Sequence, residues 1–457
     1  MAFSEHLPNY LTVKAVLPNH PIYFQLKDRN QSVGKNPTVS FPNLIEKYVP
    51  EFKNGSSSML HPYLINGHFQ TAYASLKKFQ DIDQVKYKRL VLNYSDGGEG
   101  TVDFVVNEEK GSTEKAIKPY SPKFQKFLPS KSFYSFFSPN DPRLKSDDTK
   151  PLVIVLHGLA GGSSESYVRS LVHNITENYG FEACVLNARG CCHSTITTPQ
   201  LYNCGWTNDI RHCVNTLKSM YPNRKFYMVG FSLGASVLTN YLGEEGENSQ
   251  ISCAIAVSLP WNLTNASHYI NSTTIGKRVY SQALCKSLVR LTHRHIEELR
   301  KSPTFESVYS TRFESIKFLD EFDNFFTGPM FGYKDGVHYY EDASAYQRLP
   351  FIRTPFIAIN ARDDPITGPV FPEKEFQQNP YTVLIETDIG GHVAWFNGEK
   401  GKRWYLEPIC RFLSTYHKEI SSKGYEPVAP PNTSPSKGQS YVMTTYRKQI
   451  ASINDKV

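Results

Sequence analysis

From residue 88 onward, short and almost purely apolar runs alternate with longer stretches in which apolar residues recur every three or four positions. Four such runs come in succession: PLVIVLHG (151–158), FEACVLNARG (181–190), KFYMVGFS (225–232) and ISCAIAVSLPW (251–261). Two more, TPFIAINARDDP (354–365) and TVLIETDIGGH (382–392), follow after a gap. A run rich in Val, Ile and Leu that does not alternate with polar residues suits a strand buried on both faces. Helical patterns between such runs predict a parallel sheet covered on both sides. Ahead of them, KRLVLNYS, DGGEG and TVDFVV predict a hairpin closed by a Gly-rich turn. Between Asn262 and Pro350 the strand signal disappears, and SQALCKSLVRLTHRHIEELRK and FESIKFLDEFDNFF read as helices. An insertion at that place would stand above the sheet as a lid. KRWYLEPICRFLSTYHKE reads as a closing helix.

The expected fold is therefore α/β, with a mostly parallel central sheet, helices on both faces and a helical lid insertion. Residues 1–85, polar and punctuated by proline, read as an N-terminal extension packed on the core. The core is expected over 86–262 and 351–420, with the lid at 263–350. Residues 107–150, charged and rich in proline and aromatics without period, read as a long excursion. The Pro/Ser-rich segment 421–457 reads as a disordered tail. No internal repeat is apparent.

Composition narrows the classes. At 457 residues, 40% of them hydrophobic, the chain can bury a large core. No run approaches the roughly 18 apolar residues of a membrane span, and the N-terminus lacks the basic and apolar regions of a secretory signal, so an intracellular, cytoplasmic protein is expected. Its eight cysteines include no C-x-x-C pair, which argues against zinc and suits a reducing compartment without disulfides. Sequons such as Asn262-Leu263-Thr264 carry little weight without a signal. The formal charge of +7 is spread along the chain with no Lys/Arg-rich block, which argues against nucleic acid. It reads as solvated surface, with peripheral contact to a membrane or lipid droplet as the minor reading.

The candidate chemistry sits at strand ends. In YMVGFSLGAS, Ser232 lies between two glycines where an apolar run meets a helical one, the sequence form of a nucleophile elbow. G-x-S-x-G alone arises by chance in a chain of this length roughly one time in seven, so its context is what counts. A serine needs a base to accept its proton and a carboxylate to orient that base. His392, just after LIETDIGG, is the best placed of the fourteen histidines. Asp363 and Asp364 both close the strand FIAINARDDP; Asp364, directly before proline, is the expected acid, with Asp363 as a neighbour or hydrogen-bond support. The Gly-rich LHGLAGGSSES (156–166) can offer backbone amides to an oxyanion, so Leu159 and Leu233 are the expected donors. The same loop lacks the Lys-Ser/Thr ending of a phosphate-binding loop. His157 reads as a structural histidine, and Cys191-Cys192 as packing at a strand end. The pair His338 and Asp342 reads as coincidence rather than an acyltransferase motif.

Taken together, HPYLINGHFQT, VLHGLAGGSSES, VLNARGC, MVGFSLGASVLTNYLGEEGENS, EFDNFFTGPMFGYKDGVHYYEDAS, NARDDPITG and ETDIGGHVAW resemble the AB hydrolase 4 group. Within it they look most similar to the fungal medium-chain fatty acid ethyl ester synthase/esterases, over about residues 55–415. The resemblance implies an α/β-hydrolase fold, a triad on Ser232, Asp364 and His392, and medium-chain acyl groups as substrate. Those groups would be moved from acyl-CoA to an alcohol or cleaved by water from esters and monoacylglycerols. The expectation is thus a serine esterase/acyltransferase with no cofactor, no metal and no obligate protein partner. The alternatives are a monoacylglycerol lipase with little synthase activity and a non-catalytic lipid-binding protein of the same fold. The first 55 residues, the excursion and the lid, where the acyl pocket would be shaped, depart from the group's pattern.

Overall fold

The six apolar runs form six parallel strands in the computed structural model, which describes residues 9–26, 39–77, 79–106, 134–138 and 140–431. In chain order the strands are β1 (Tyr10–Val16), β2 (Tyr23–Leu26), β3 (Ser57–Met59), β4 (Tyr87–Asn93), β5 (Glu99–Val105), β6 (Tyr134–Phe136), β7 (Leu152–Leu156), β8 (Glu182–Asn187), β9 (Phe226–Phe231), β10 (Ile251–Val257), β11 (Phe356–Ala361), β12 (Thr382–Thr387) and β13 (Tyr425–Val428). Eleven make one sheet in the order β3-β1-β12-β11-β10-β9-β7-β8-β5-β4-β6. From β12 to β8 neighbours run parallel. The predicted hairpin, β4 with β5, joins β8 antiparallel.

Successive side chains of a strand point to opposite faces, and here both faces are covered. Val229, Phe231, Ile255 and Ile359 pack with the helices Ser166–Tyr179 and Leu406–Tyr416. Met228, Ala254, Ala256 and Ala358 pack on the other face with Asn208–Met220 and Leu233–Glu245. This explains runs without polar alternation: a polar residue on either face would be buried without water.

The N-terminal region does more than pack on the core. β1 pairs antiparallel with β12, Val13 opposite Thr387, and extends the sheet to β3. Leu11 and Val13 are buried while Tyr10, Thr12 and Lys14 are exposed, the alternation of a strand covered on one face, and Val16 at its end is buried on the other face. At the other end of the chain, the expectation of disorder from 421 is corrected for residues 421–431. β13 pairs with β2, placing Pro427 opposite the buried Phe24, whose ring meets Tyr416 edge-on at 5.6 Å. The rest of that tail, 432–457, and the excursion over 107–133 lie outside the described residues.

Between β10 and β11 the described chain is helical, and its apolar residues form two clusters with core residues such as Ile196, Trp206 and Leu233. The first predicted helix runs Gln282–Arg294 and breaks at His295 before Ile296–Leu299. FESIKFLDEFDNFF is less regular than predicted, with a short helix Leu319–Phe322 and then a wide π-type turn over Asp323–Thr327. Among the described residues no helix is long and apolar enough to cross a membrane.

Candidate active site

Ser232 stands between the end of β9 and the helix Leu233–Glu245 with φ +53° and ψ −119°. A non-glycine residue in that region costs about 1–3 kcal/mol and persists where surrounding structure over-determines it. Here the Ser232 N–H donates to Val257 O at 2.9 Å, and its carbonyl accepts from Ala235 at 2.9 Å and Ser236 at 3.1 Å. The turn also requires its glycines. A Cβ on Gly234 would lie 2.4 Å from the carbonyl oxygen of His157, and one on Gly230 2.7 Å from that of Gly234.

His392 reaches the serine from the loop after β12. Its Nε2 is 2.8 Å from Ser232 Oγ, and its Nδ1 is 2.7 Å from Asp364 Oδ2. Asp364, at the end of β11, is fully buried, and its Oδ1 accepts the N–H groups of Ile366 and Thr367 at 2.8 and 3.1 Å. The three candidates of the sequence thus form one hydrogen-bonded chain from carboxylate to hydroxyl. In that chain an imidazole with its proton on Nδ1 leaves Nε2 as the acceptor facing Ser232.

Asp363 does not touch His392 in this arrangement. Its Oδ1 accepts the N–H groups of Gly390 and Gly391, each at 2.9 Å, so it clamps the turn that carries the histidine. Burial pushes its carboxyl up to about 6. Gly391 adopts φ +66°, and a Cβ there would lie 2.7 Å from the Gly67 carbonyl. Two further supports were not singled out from sequence. Thr71 Oγ1 accepts the His392 N–H at 2.9 Å, and Ser258 Oγ accepts the Val393 N–H at 2.8 Å. Thr71 belongs to the helix Gly67–Leu76, whose N-cap Asn66 and the phrase LINGHFQT were the only signal available.

Around the expected oxyanion donors the neighbouring amides are engaged. Gly158 N–H donates to Tyr167 Oη at 2.9 Å and Ala160 N–H to Tyr202 Oη at 2.7 Å. Among the described residues the intervening Leu159 N–H has no partner, nor has that of Leu233 at the first position of the helix after Ser232. Both residues line the cavity that holds Ser232 and His392. A Cβ on Gly158 would sit 3.3 Å from that of Ser232, which places the loop directly against the nucleophile candidate.

His157 lies beneath this loop as a neutral, fully bonded imidazole. Nδ1–H donates to Gly158 O at 2.7 Å and Nε2 accepts from Ala188 N–H at 3.0 Å. Burial pushes its pKa down from 6.5 to about 4. The unfolded chain therefore takes up a proton that the folded protein refuses until about pH 4, so this contribution is intact above pH 6.5 and is lost as pH falls toward 4. His157→Gln is expected to flatten that part of the Tm–pH curve relative to wild type. Asp363 works in the opposite sense, so the difference between the two proteins is the quantity to measure. Curves that run parallel from pH 7 to 4 would refute the assignment.

The remaining sequence candidates fall elsewhere. His338 Nδ1 lies 2.7 Å from Asp335, and Asp342 accepts from Tyr333 Oη at 2.6 Å and pairs with Arg348. His338 and Asp342 are not among the residues lining the cavity. Cys191 is buried, and burial pushes its thiol up to about 12, so it is not a thiolate at neutral pH.

The cavity itself, about 790 Å³, runs from Ser232 and His392 into the lid, where Leu263, Leu288 and Tyr340 form part of its wall. A second chamber of about 430 Å³, lined by Leu291, Phe305 and Phe326 among others, shares Tyr202, Leu288 and Thr327 with it. A strand–serine–helix elbow bonded to a strand-end histidine and carboxylate is the geometry of acyl transfer through a serine.

Residues 151–394 match the family described as the alpha/beta hydrolase fold. The chain belongs to that family. It is 51% identical over 449 residues to a Saccharomyces cerevisiae protein named monoacylglycerol lipase, covering 98% of this chain and 100% of that one. To the medium-chain fatty acid ethyl ester synthase/esterase 2 of the same organism it is 33% identical, over 88% of this chain and 94% of the other. The expectation of greatest similarity to the ethyl ester synthase/esterases is thereby corrected, since the lipase shares far more residues over more of the chain. The Pyrococcus furiosus esterase Pf2001 superposes with a TM-score of 0.42 at 15% identity, covering 74% of this chain and 95% of that one.

Proposed function

We propose that the protein is a serine lipase that hydrolyses monoacylglycerols. Ser232 Oγ attacks the acyl carbonyl while His392 Nε2 takes its proton, and Asp364 holds the imidazole and stabilises its charge. The amides of Leu159 and Leu233 receive the oxyanion. His392 returns the proton to the departing glycerol oxygen, and water, deprotonated in turn by His392, releases the fatty acid from Ser232. The hydrogen-bonded line Asp364–His392–Ser232 opening into an apolar cavity carries the chemistry. The 51% identity to a lipase supports the substrate.

An alcohol could take the place of water on the same acyl-enzyme, and the 33% identity to an ester synthase/esterase keeps that reading in the test. Purified protein and its Ser232→Ala variant would be given monooctanoylglycerol in water, ethyl octanoate in water, and octanoyl-CoA with ethanol. Serine-dependent release of octanoate from monooctanoylglycerol, with little ethyl octanoate made from octanoyl-CoA, is the expected result. Dominant ethyl ester formation would replace the lipase reading with the synthase one.

Leu288 lines both chambers, so we assign the second to the far end of the acyl chain. Leu288→Trp is expected to close that passage. Across a series of monoacylglycerols, kcat/KM for sixteen-carbon chains should fall roughly tenfold or more relative to eight-carbon chains, the effect of denying several methylenes an apolar site. Equal losses at all lengths would place the chain elsewhere.

A further inference from the structure

Asp323 is the only carboxyl group among the described residues lining the catalytic cavity. It lies on the π-type turn Asp323–Thr327, and interruptions of this kind are frequent at functional positions. The side chain is buried, at 8% exposure, and its partners are neutral: Thr327 Oγ1 donates to Oδ1 at 2.6 Å and Tyr340 Oη to Oδ2 at 2.7 Å. Among the described residues no Lys, Arg or His pairs with it; the charged group that acts on it is Asp320. Burial pushes its carboxyl up to about 6, so at neutral pH it is an acceptor held at a cost to the fold.

Ester cleavage makes no use of this group, because Asp364 already serves His392. Each oxygen of a carboxylate accepts two hydrogen bonds, and each oxygen of Asp323 has one from the described residues. The turn is also fixed in place. Asn324 Oδ1 accepts the Gly336 N–H at 3.1 Å, and a Cβ on Gly328 would lie 2.6 Å from the Asp335 carbonyl. Ser267 and Tyr340 both line the catalytic cavity and an open surface groove of about 1440 Å³. The wall bearing Asp323 thus adjoins a groove open to solvent.

We propose that Asp323, oriented by Tyr340 and Thr327, is the subsite that accepts the free hydroxyl groups of a polyol ester, the glycerol of a monoacylglycerol. It would make the enzyme prefer polyol esters to esters of simple alcohols with the same acyl chain. An ethyl ester has no hydroxyl to offer there, whereas a monoacylglycerol has two. The inference rests on the proposed lipase reading and goes beyond it by naming the headgroup contact.

The test uses the full chain with monooctanoylglycerol and ethyl octanoate, measuring kcat/KM for wild type, Asp323→Asn and Tyr340→Phe. For Asp323→Asn, kcat/KM on monooctanoylglycerol is expected to fall roughly ten- to hundredfold, the range for losing a hydrogen bond to a charged group. On ethyl octanoate it should stay within about threefold. Tyr340→Phe should shift the same ratio in the same direction by a smaller factor, and it carries the test if Asp323→Asn does not fold. A parallel loss on both esters, or an unchanged ratio in a folded variant, overturns the subsite while leaving the lipase intact. Wild type that shows no Ser232-dependent cleavage of monooctanoylglycerol overturns the lipase reading and this inference with it.

Discussion

Replacing Ser232 with alanine is expected to lower kcat on monooctanoylglycerol by roughly 10⁴- to 10⁶-fold, with little change in Tm. The size follows from what the hydroxyl does. It forms the covalent acyl intermediate, and without it the 2.8 Å contact to His392 Nε2 activates nothing, so only the oxyanion donors and the apolar cavity remain to assist attack by water. The fold should tolerate the change. The strained turn at φ +53° is held by backbone hydrogen bonds to Val257, Ala235 and Ser236, which alanine keeps. Rapid-mixing assays with p-nitrophenyl octanoate give a second readout, because the burst of p-nitrophenol that marks an acyl-enzyme should vanish. Activity within tenfold of wild type, or a surviving burst, would remove Ser232 from the mechanism.

The parallel core was legible because burial on both faces leaves an unambiguous trace. Phe226-Tyr-Met-Val-Gly-Phe231 sends Tyr227, Val229 and Phe231 into one layer and Phe226 and Met228 into the other, so no polar residue can interrupt it. β1 was not legible for the opposite reason. It is short and half exposed, its partners Ser57–Met59 and Thr382–Thr387 lie some 45 and 370 positions away, and it stands alone in a polar, proline-punctuated stretch, so its brief alternation of apolar and polar residues was the only local signal. β13 escaped in the same way: Tyr425–Val428 is a strand only because β2 lies beside it.

The candidate site divides along similar lines. Ser232, Asp364 and His392 could be proposed from sequence because each follows an apolar run, the place where a parallel sheet presents side chains to one rim. The groups that hold them could not. Thr71 supports His392 through a backbone contact from 321 positions away, and Tyr167 and Tyr202 engage the amides flanking Leu159 with hydroxyls that look ordinary in sequence. The balance between lipase and synthase was hidden for a deeper reason. Both readings invoke one acyl-enzyme, and the cavity wall that receives the acceptor is lined by Leu288, Asp323 and Tyr340 from separate lid segments, which no local sequence pattern brings together.

The two adjacent aspartates offer the sharpest contrast. Asp364→Asn is expected to lower kcat roughly 10⁴-fold, the scale seen when a triad acid is replaced by its amide, while Asp363→Asn should cost no more than about tenfold. The reason lies in how each carboxyl is held. Oδ1 of Asp364 accepts two backbone N–H groups, from Ile366 and Thr367, so an asparagine there must keep its oxygen on that side. Its NH₂ would then face His392 Nδ1 at the present 2.7 Å and donate to it. That forces the imidazole proton onto Nε2, where it meets Ser232 Oγ and cannot accept the serine's proton. At 363 an asparagine can present its oxygen to Gly390 and Gly391 as Asp363 Oδ1 now does, so the turn carrying His392 survives. The variants should therefore differ by about a thousandfold in kcat at similar KM. A larger loss at 363 than at 364 would transfer the acid's role to Asp363 and require His392 to turn toward it during catalysis.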